Sequence, residues 1–281
     1  MTTEFNDKNT TNIAFIGCGN MSTAIINGLV AAGWPASKII AANPSQAKLD
    51  KLKQSLTIKT TADNLAAIDA AEIVVLAVKP QKLPTVCLQA SDAELSDKLI
   101  ISVAAGFQTA QLSKHLQQKT AIVRAMPNTP ATIGMGATGL FATGEVTKAQ
   151  KDWAEAIFAA VGISRWVTDE KLMDVVTAVA GSSPAYIFMM MRAMVEQAVV
   201  SGLSEEDAVA LITQAVSGAA QLARANPDKP LADLQKEVTS PGGTTEAAID
   251  SFTRDQFEII VKNAVNASIT RGRELGQPIK P

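Results

Sequence analysis

Residues 12–32 read NIAFIGCGNMSTAIINGLVAA. A short apolar run passes through Gly17 and Gly19 into a stretch whose apolar residues recur at helical spacing. A run with no polar alternation needs cover on both faces, which is the habit of a central strand in a parallel sheet. Moving outward, KIIAA (38–42), EIVVLAV (72–78), LIISVAA (99–105), AIVRAM (121–126) and ISRWVT (163–168) read as further strands. Helix-like segments separate them at 20–32, 45–54, 63–70, 109–117 and 147–160. This series of strand, helix and strand predicts an α/β fold, a Rossmann-type doubly wound sheet over residues 12–168.

After residue 168 the strand signals stop. Residues 170–180, 184–201, 204–225, 231–238, 244–252 and 254–274 all read as helix, so a C-terminal all-helical domain is expected over 169–281. Ser204, followed by Glu205, Glu206 and Asp207, marks one helix start, because its hydroxyl can cap and the acids favour the N-terminal dipole. The stretch AYIFMMMRAMVEQAVV (185–200) is apolar on nearly every side and needs burial on more than one face. It is read as an oligomer interface.

The composition narrows the partners. The chain has 281 residues, 47% hydrophobic and 19% charged, with a net charge of −2, as expected of a soluble globular protein. Without a basic excess or a basic run, neither nucleic acid nor an anionic membrane is an expected partner. The run 185–200 is interrupted by Arg192 and Glu196 and is shorter than the ~20 residues of a membrane span. Residues 1–11 are polar and are expected to form a disordered tail. Two cysteines, Cys18 and Cys87, lack metal-site spacing and fit a cytoplasmic location. His115 is the only histidine, so a His-based triad or multi-His metal site is excluded and no metal is expected.

The motifs point to a nucleotide. Gly17 and Gly19 match the first two glycines of the dinucleotide fingerprint, and the following helix offers free N–H groups to a pyrophosphate. Where an acid would hold the ribose 2′-hydroxyl of NAD, the chain has IIAANPSQAKLD (39–50). Asn43, Ser45 and Lys48 suit a 2′-phosphate better, so NADP is preferred with NAD possible. LAVKPQ (76–81) and SVAAG (102–106) end buried strands and face the ligand crevice, with small residues where a nicotinamide ring needs room. Lys79 reads as a surface or phosphate-neighbouring residue rather than a catalytic one. RAMPNTPA (124–131) forms a rigid loop at the same edge, and AGSSPAYIF (180–188) reads as a helix start, capped by Ser182 or Ser183 with Pro184 in the first turn.

In EVTSPGGTTEAAID (237–250) a Pro-Gly-Gly corner leads into a helix. The N–H groups of Gly243, Thr244 and Thr245 would be free to bind an anion, with threonine hydroxyls beside them.

Together, FIGCGNM, AVKPQ, SVAAG, RAMPNTP, GSSPAY and EVTSPGGTTEAAI, in this order, resemble the pyrroline-5-carboxylate reductases from residue 12 to about residue 274. The resemblance implies reduction of a cyclic imine, pyrroline-5-carboxylate, to L-proline by NADPH or NADH, in a homodimer that can assemble into a decamer. It places Ile16, Gly17, Cys18, Gly19, Asn20, Met21, Asn43, Ser45, Asn64, Ala77, Val78, Lys79, Pro80, Val103, Ala104 and Ala105 around the cofactor. It implies that Thr245, as the catalytic residue, bonds the ring nitrogen. Ser240, Gly243 and Thr244 would hold the substrate carboxylate, and Glu170 would approach the nitrogen. Glu237 departs from the pattern, since a carboxylate near the cofactor phosphates would repel them. A related imine or β-hydroxyacid reductase, though Lys171 and Lys262 lack the surroundings of that catalytic lysine, and a non-catalytic nucleotide sensor remain alternatives.

Overall fold

The computed structural model describes residues 11–276, so all but the last residue of the expected tail at 1–11 lies outside the described residues. The chain forms two compact units, one running to Pro184 and resuming at Ser268, the other Ala185–Ala267.

The first unit is built on one eight-stranded sheet. Its strands are β1 (Ile13–Ile16), β2 (Ile39–Ala42), β3 (Lys59–Thr61), β4 (Ile73–Leu76), β5 (Leu99–Ser102), β6 (Ala121–Met126), β7 (Gly136–Ala142) and β8 (Gly162–Trp166). They lie in the order 3-2-1-4-5-6-7-8. β1 pairs in parallel with β2 on one side and β4 on the other, so the order reverses at β1 and opens a crevice beyond its C-terminal end. Because side chains alternate across a strand, Ile13 and Phe15 enter one hydrophobic cluster and Ala14 and Ile16 the other. Both faces are covered, as the unbroken apolar run requires. The covering helices are α1 (Asn20–Ala31), α2 (Gln46–Leu56), α3 (Asn64–Asp69), α4 (Leu83–Ala90), α5 (Thr109–Leu116) and α6 (Lys148–Ala159).

Three of these elements are additions to the sequence reading. β3 is a three-residue strand, wholly polar, at the sheet edge. α4 begins with Leu83-Pro84, where proline is tolerated because the first helical N–H groups have no partner anyway. β7 carries glycines that hide its strand pattern, and it runs antiparallel to β6, so the sheet is mixed rather than wholly parallel. One of those glycines serves packing: a Cβ on Gly139 would lie 2.4 Å from a Val176 methyl.

The remaining helices are α7 (Leu172–Val176), α8 (Ser183–Val200), α9 (Glu205–Ala225), α10 (Leu231–Glu237), α11 (Thr244–Arg254) and α12 (Phe257–Leu275). Ser204 caps α9 as expected, accepting from the Asp207 N–H at 3.1 Å. The helix start expected at 180–188 is present, since α8 begins at Ser183 with Pro184 in its first turn, but the chain before it is helical too. Leu172–Val200 is one helical run of 29 residues with a π-turn at Thr177–Gly181. Pro184 has no N–H and its ring would clash with the carbonyl four residues back, and the wider π-turn relieves both. The Ala180 carbonyl instead accepts from Asn128 Nδ2 at 3.0 Å and from Ser183 Oγ at 3.3 Å. The run therefore exceeds the length read from residues 185–200 and, by length and mean hydropathy alone, is long and apolar enough to cross a bilayer. The apolar core helix of a soluble protein meets the same criterion.

Candidate active site

The turn after β1 is shaped for close backbone approach. Gly17 has φ +106°, and a Cβ there would lie 2.7 Å from the Ala77 carbonyl oxygen, so only glycine fits. Gly19, two residues on, meets nothing within 4 Å and is exposed. It stands at the N-cap of α1, which has no side-chain cap and no acid in its first turn. The first N–H groups of α1 are thus left to an anion, and the helix dipole adds to their attraction. Asn20 is exposed and Met21 half-buried beside them, while Ile16 is fully buried and can offer only backbone. Ser22, the third fingerprint position, is buried and donates its hydroxyl back to the Gly19 carbonyl at 3.0 Å. These features fit a dinucleotide pyrophosphate.

Cys18 is held inside this turn. Its thiol donates to the Ala42 carbonyl, and burial pushes its pKa up to about 11, against a smaller opposing pull from Lys48. A thiol so raised is almost entirely neutral near pH 7 and a poor nucleophile, consistent with a packing role.

At the end of β2, Asn43 Oδ1 accepts the Ser45 N–H at 2.9 Å, folding the loop into a tight turn before α2. Ser45, the N-cap residue of α2, makes no capping bond with its side chain. Lys48 and Lys51 on α2 line a cleft of about 600 Å³ with Cys18, Gly19, Asn20 and Thr23 of the α1 turn. Cationic side chains therefore flank the phosphate loop, and neither lysine makes an ion pair among the described residues. Asn64 starts α3 and donates to Gln89 at 3.0 Å.

The ends of β4 and β5 complete this edge. Ala77 N–H donates to the Ile16 carbonyl at 2.9 Å, and Val103 N–H to the Leu76 carbonyl at 3.2 Å, so both loops leave the sheet side by side. Ala77, Val78, Pro80, Val103 and Ala105 are half-buried, Ala104 is buried and Lys79 is exposed. All the expected cofactor residues thus fall in the first unit, most of them where β1, β2, β4 and β5 end.

Beside this edge Glu170, expected near the substrate nitrogen, meets Arg124, Asp174 and Thr109, to which the sequence reading gave no role. Arg124 on β6 is only 3% exposed and pairs with Glu170 at 3.2 Å and Asp174 at 3.6 Å. Glu170 also accepts the Thr109 N–H at 2.8 Å and the Thr109 hydroxyl at 2.7 Å. The signal was present in AIVRAM, since an arginine in an otherwise apolar strand must find acceptors.

The turn at 240–245 belongs to the second unit. Gly243 N–H donates to the Ser240 carbonyl at 3.0 Å across Pro241-Gly242, and Gly242 has φ +70°, the pattern of a type II turn. The Gly243 N–H is therefore engaged within the turn and is not free for an anion, contrary to expectation. The reason is the proline-glycine step, which brings residues 240 and 243 together. Gly243 is the N-cap of α11 and gives no side-chain cap, so Thr244 and Thr245 stand exposed at the free N-terminus of an 11-residue helix. Their hydroxyls have no partner among the described residues. Glu246 turns back to accept the Gly242 N–H at 2.6 Å. Glu237, the departure noted above, is paired with Lys229, which answers its charge locally.

Residues 170–275 match the family described as pyrroline-5-carboxylate reductase dimerisation, and residues 12–106 match NADP oxidoreductase coenzyme F420-dependent. The chain is 44% identical over 263 residues to a pyrroline-5-carboxylate reductase of Vibrio alginolyticus, covering 94% of this chain and 97% of the relative. It is similar to the solved structure of a pyrroline-5-carboxylate reductase from Coxiella burnetii, with 42% identity and TM-score 0.91 over 96% of this chain and 100% of the other. A Plasmodium falciparum pyrroline carboxylate reductase solved with NADP bound has 28% identity and TM-score 0.85, covering 95% of this chain and 99% of the other. With such identity along nearly its whole length, the chain belongs to the pyrroline-5-carboxylate reductase family.

Proposed function

We propose that the protein reduces 1-pyrroline-5-carboxylate to L-proline with NADPH, and more weakly with NADH, as the last step of proline biosynthesis. One observation carries the substrate side: a type II turn ending on an uncapped helix with two unengaged threonine hydroxyls. The nicotinamide, when bound, supplies a hydride to C5 of the imine, and the C=N electron pair moves to nitrogen. Residues of this chain bind and orient. The α1 N-terminus and the 16–21 backbone take the pyrophosphate. Asn43, Ser45 and Lys48 take the 2′-phosphate, and Asn64, the 77–80 loop and Val103–Ala105 line the remainder. The Thr244 and Thr245 N–H groups, with the Ser240 side chain, hold the carboxylate and so fix which ring face is presented. The Thr245 hydroxyl holds the nitrogen, which is already protonated as an iminium or takes its proton from water.

On this reading residues 12–168 are the cofactor-binding domain and 169–281 the substrate-binding and dimerisation domain. The protein works in the cytoplasm as a homodimer, with a decamer as the larger assembly. The dimer accounts for the exposed Phe188, Met189 and Val200 on α8, since a second copy covers them.

The test is absorbance at 340 nm with pyrroline-5-carboxylate and either NADPH or NADH. Substrate-dependent loss, faster with NADPH, is the expected result. Protein that binds NADPH but oxidises it with no pyrroline-5-carboxylate would overturn the assignment.

A further inference from the structure

The cluster around Arg124 is used by none of the steps above. A guanidinium does not shed its proton, so an arginine with so little exposure needs acceptors in every state of the protein. Glu170 and Asp174 supply them, and Glu170 supplies more. Its Oε1 takes both Arg124 and the Thr109 N–H, and its Oε2 takes the Thr109 hydroxyl. Thr109 is the first residue of α5, so a carboxylate from 61 residues away sits at that helix's N-terminus. The loop that α5 terminates is the one that carries Val103–Ala105. The loop and α5 each meet the end of α12. Gly106, with φ +73°, lies so close to Leu275 that a Cβ would approach the Leu275 Cβ to 2.9 Å, and Gln111 Nε2 donates to the Gly276 carbonyl at 3.1 Å.

We infer that Glu170 is a positioning residue: through Thr109 it anchors the start of α5 and thereby sets the Val103–Ala105 backbone for the nicotinamide, and it does not itself touch the substrate. The inference rests on the proposed function in placing the nicotinamide at that loop. Two observations separate it from a role at the substrate nitrogen. Three donors already occupy the carboxylate. Withdrawing it toward a ligand would also leave the Arg124 charge buried with only Asp174, at 3.6 Å, as its counter-ion.

The test is a double-mutant cycle of Glu170→Gln and Thr109→Val, with NADPH affinity measured by calorimetry. Losing a hydrogen bond to a charged group should raise the NADPH dissociation constant roughly three- to tenfold in each single variant. The double variant should be no worse than the weaker single, because both changes break one linkage. Thr109→Ser keeps the hydroxyl and should bind as wild type, which separates the lost bond from a general folding defect. At saturating NADPH the KM for pyrroline-5-carboxylate should stay within about twofold of wild type in all variants, as a group remote from substrate requires. Amide hydrogen exchange over residues 103–112, without cofactor, should accelerate in Glu170→Gln and Thr109→Val and not in Thr109→Ser. A silent Thr109→Val beside a Glu170→Gln that raises only the substrate KM would overturn the inference, as would additive effects or unchanged exchange. Failure of the proposed function is distinct: wild-type protein would not reduce pyrroline-5-carboxylate, while the exchange measurement would still report on the network.

Discussion

The two units treat their apolar residues in opposite ways. Every residue of β1, β4 and β5 is buried. In Ala185–Ala267 the only buried hydrophobic residue is Ala208, and Phe188 is 64%, Met189 68% and Val200 81% exposed. The first unit closes its core within one chain, because helices cover both faces of the sheet. The second is part of a core whose remainder must come from elsewhere, in keeping with its match to a dimerisation family. Local burial thus reports self-sufficiency: one unit covers its apolar residues within the chain, and the other leaves them exposed.

The strongest way to break this contrast is to charge the open face. Phe188→Glu should weaken the homodimer by roughly a hundredfold or more, since an unpaired buried charge costs several kcal/mol. Sedimentation velocity would show the shift to monomer, while NADPH binding by the sheet is retained. A variant that stays dimeric would mean that α8 is covered by something other than a second copy. Next in size, Thr245→Ala should lower kcat by roughly ten- to a hundredfold, as removal of one aimed hydroxyl donor does, with NADPH affinity nearly unchanged. An unaltered rate removes Thr245 from the reaction. Gly17→Ala tests the closed side. Its Cβ would meet the Ala77 carbonyl at 2.7 Å and its φ is left-handed, so the melting temperature should fall by an amount corresponding to about 1–3 kcal/mol. NADPH binding should weaken with it. The smallest effect is expected for Lys48→Ala, which should lower the ratio of NADPH to NADH rates by about three- to fivefold, less at high salt because the lysine is exposed. A constant ratio would leave cofactor choice to Asn43 and Ser45.

The sequence was most legible where one residue's environment follows from its neighbours. Unbroken apolar runs identified the central strands, and the paired glycines identified the tight turn from β1 into α1. It was least legible where distant segments decide. β7 has no strand signal in the sequence because of its glycines, yet Gly139 is there to admit Val176 of α7. GSSPAY reads as a helix start, and α8 begins there, yet the π-turn ahead of it and the Asn128 amide on the Ala180 carbonyl leave no mark in the sequence. Gly243 reads as a free anion donor, yet the turn it belongs to uses its N–H.

By itself the sequence determined the Rossmann-type sheet, the switch to helices after residue 168, the tight turn from β1 into α1 and the family, because periodicity, glycine placement and motif order are local properties of the chain. Only the tertiary structure decided that Glu170 faces Arg124 and Thr109, that Glu237 is answered by Lys229, and that α8 is left uncovered within one chain. A charge's partner and an apolar face's cover are fixed by which segments meet in space, and spacing along the chain does not carry that information.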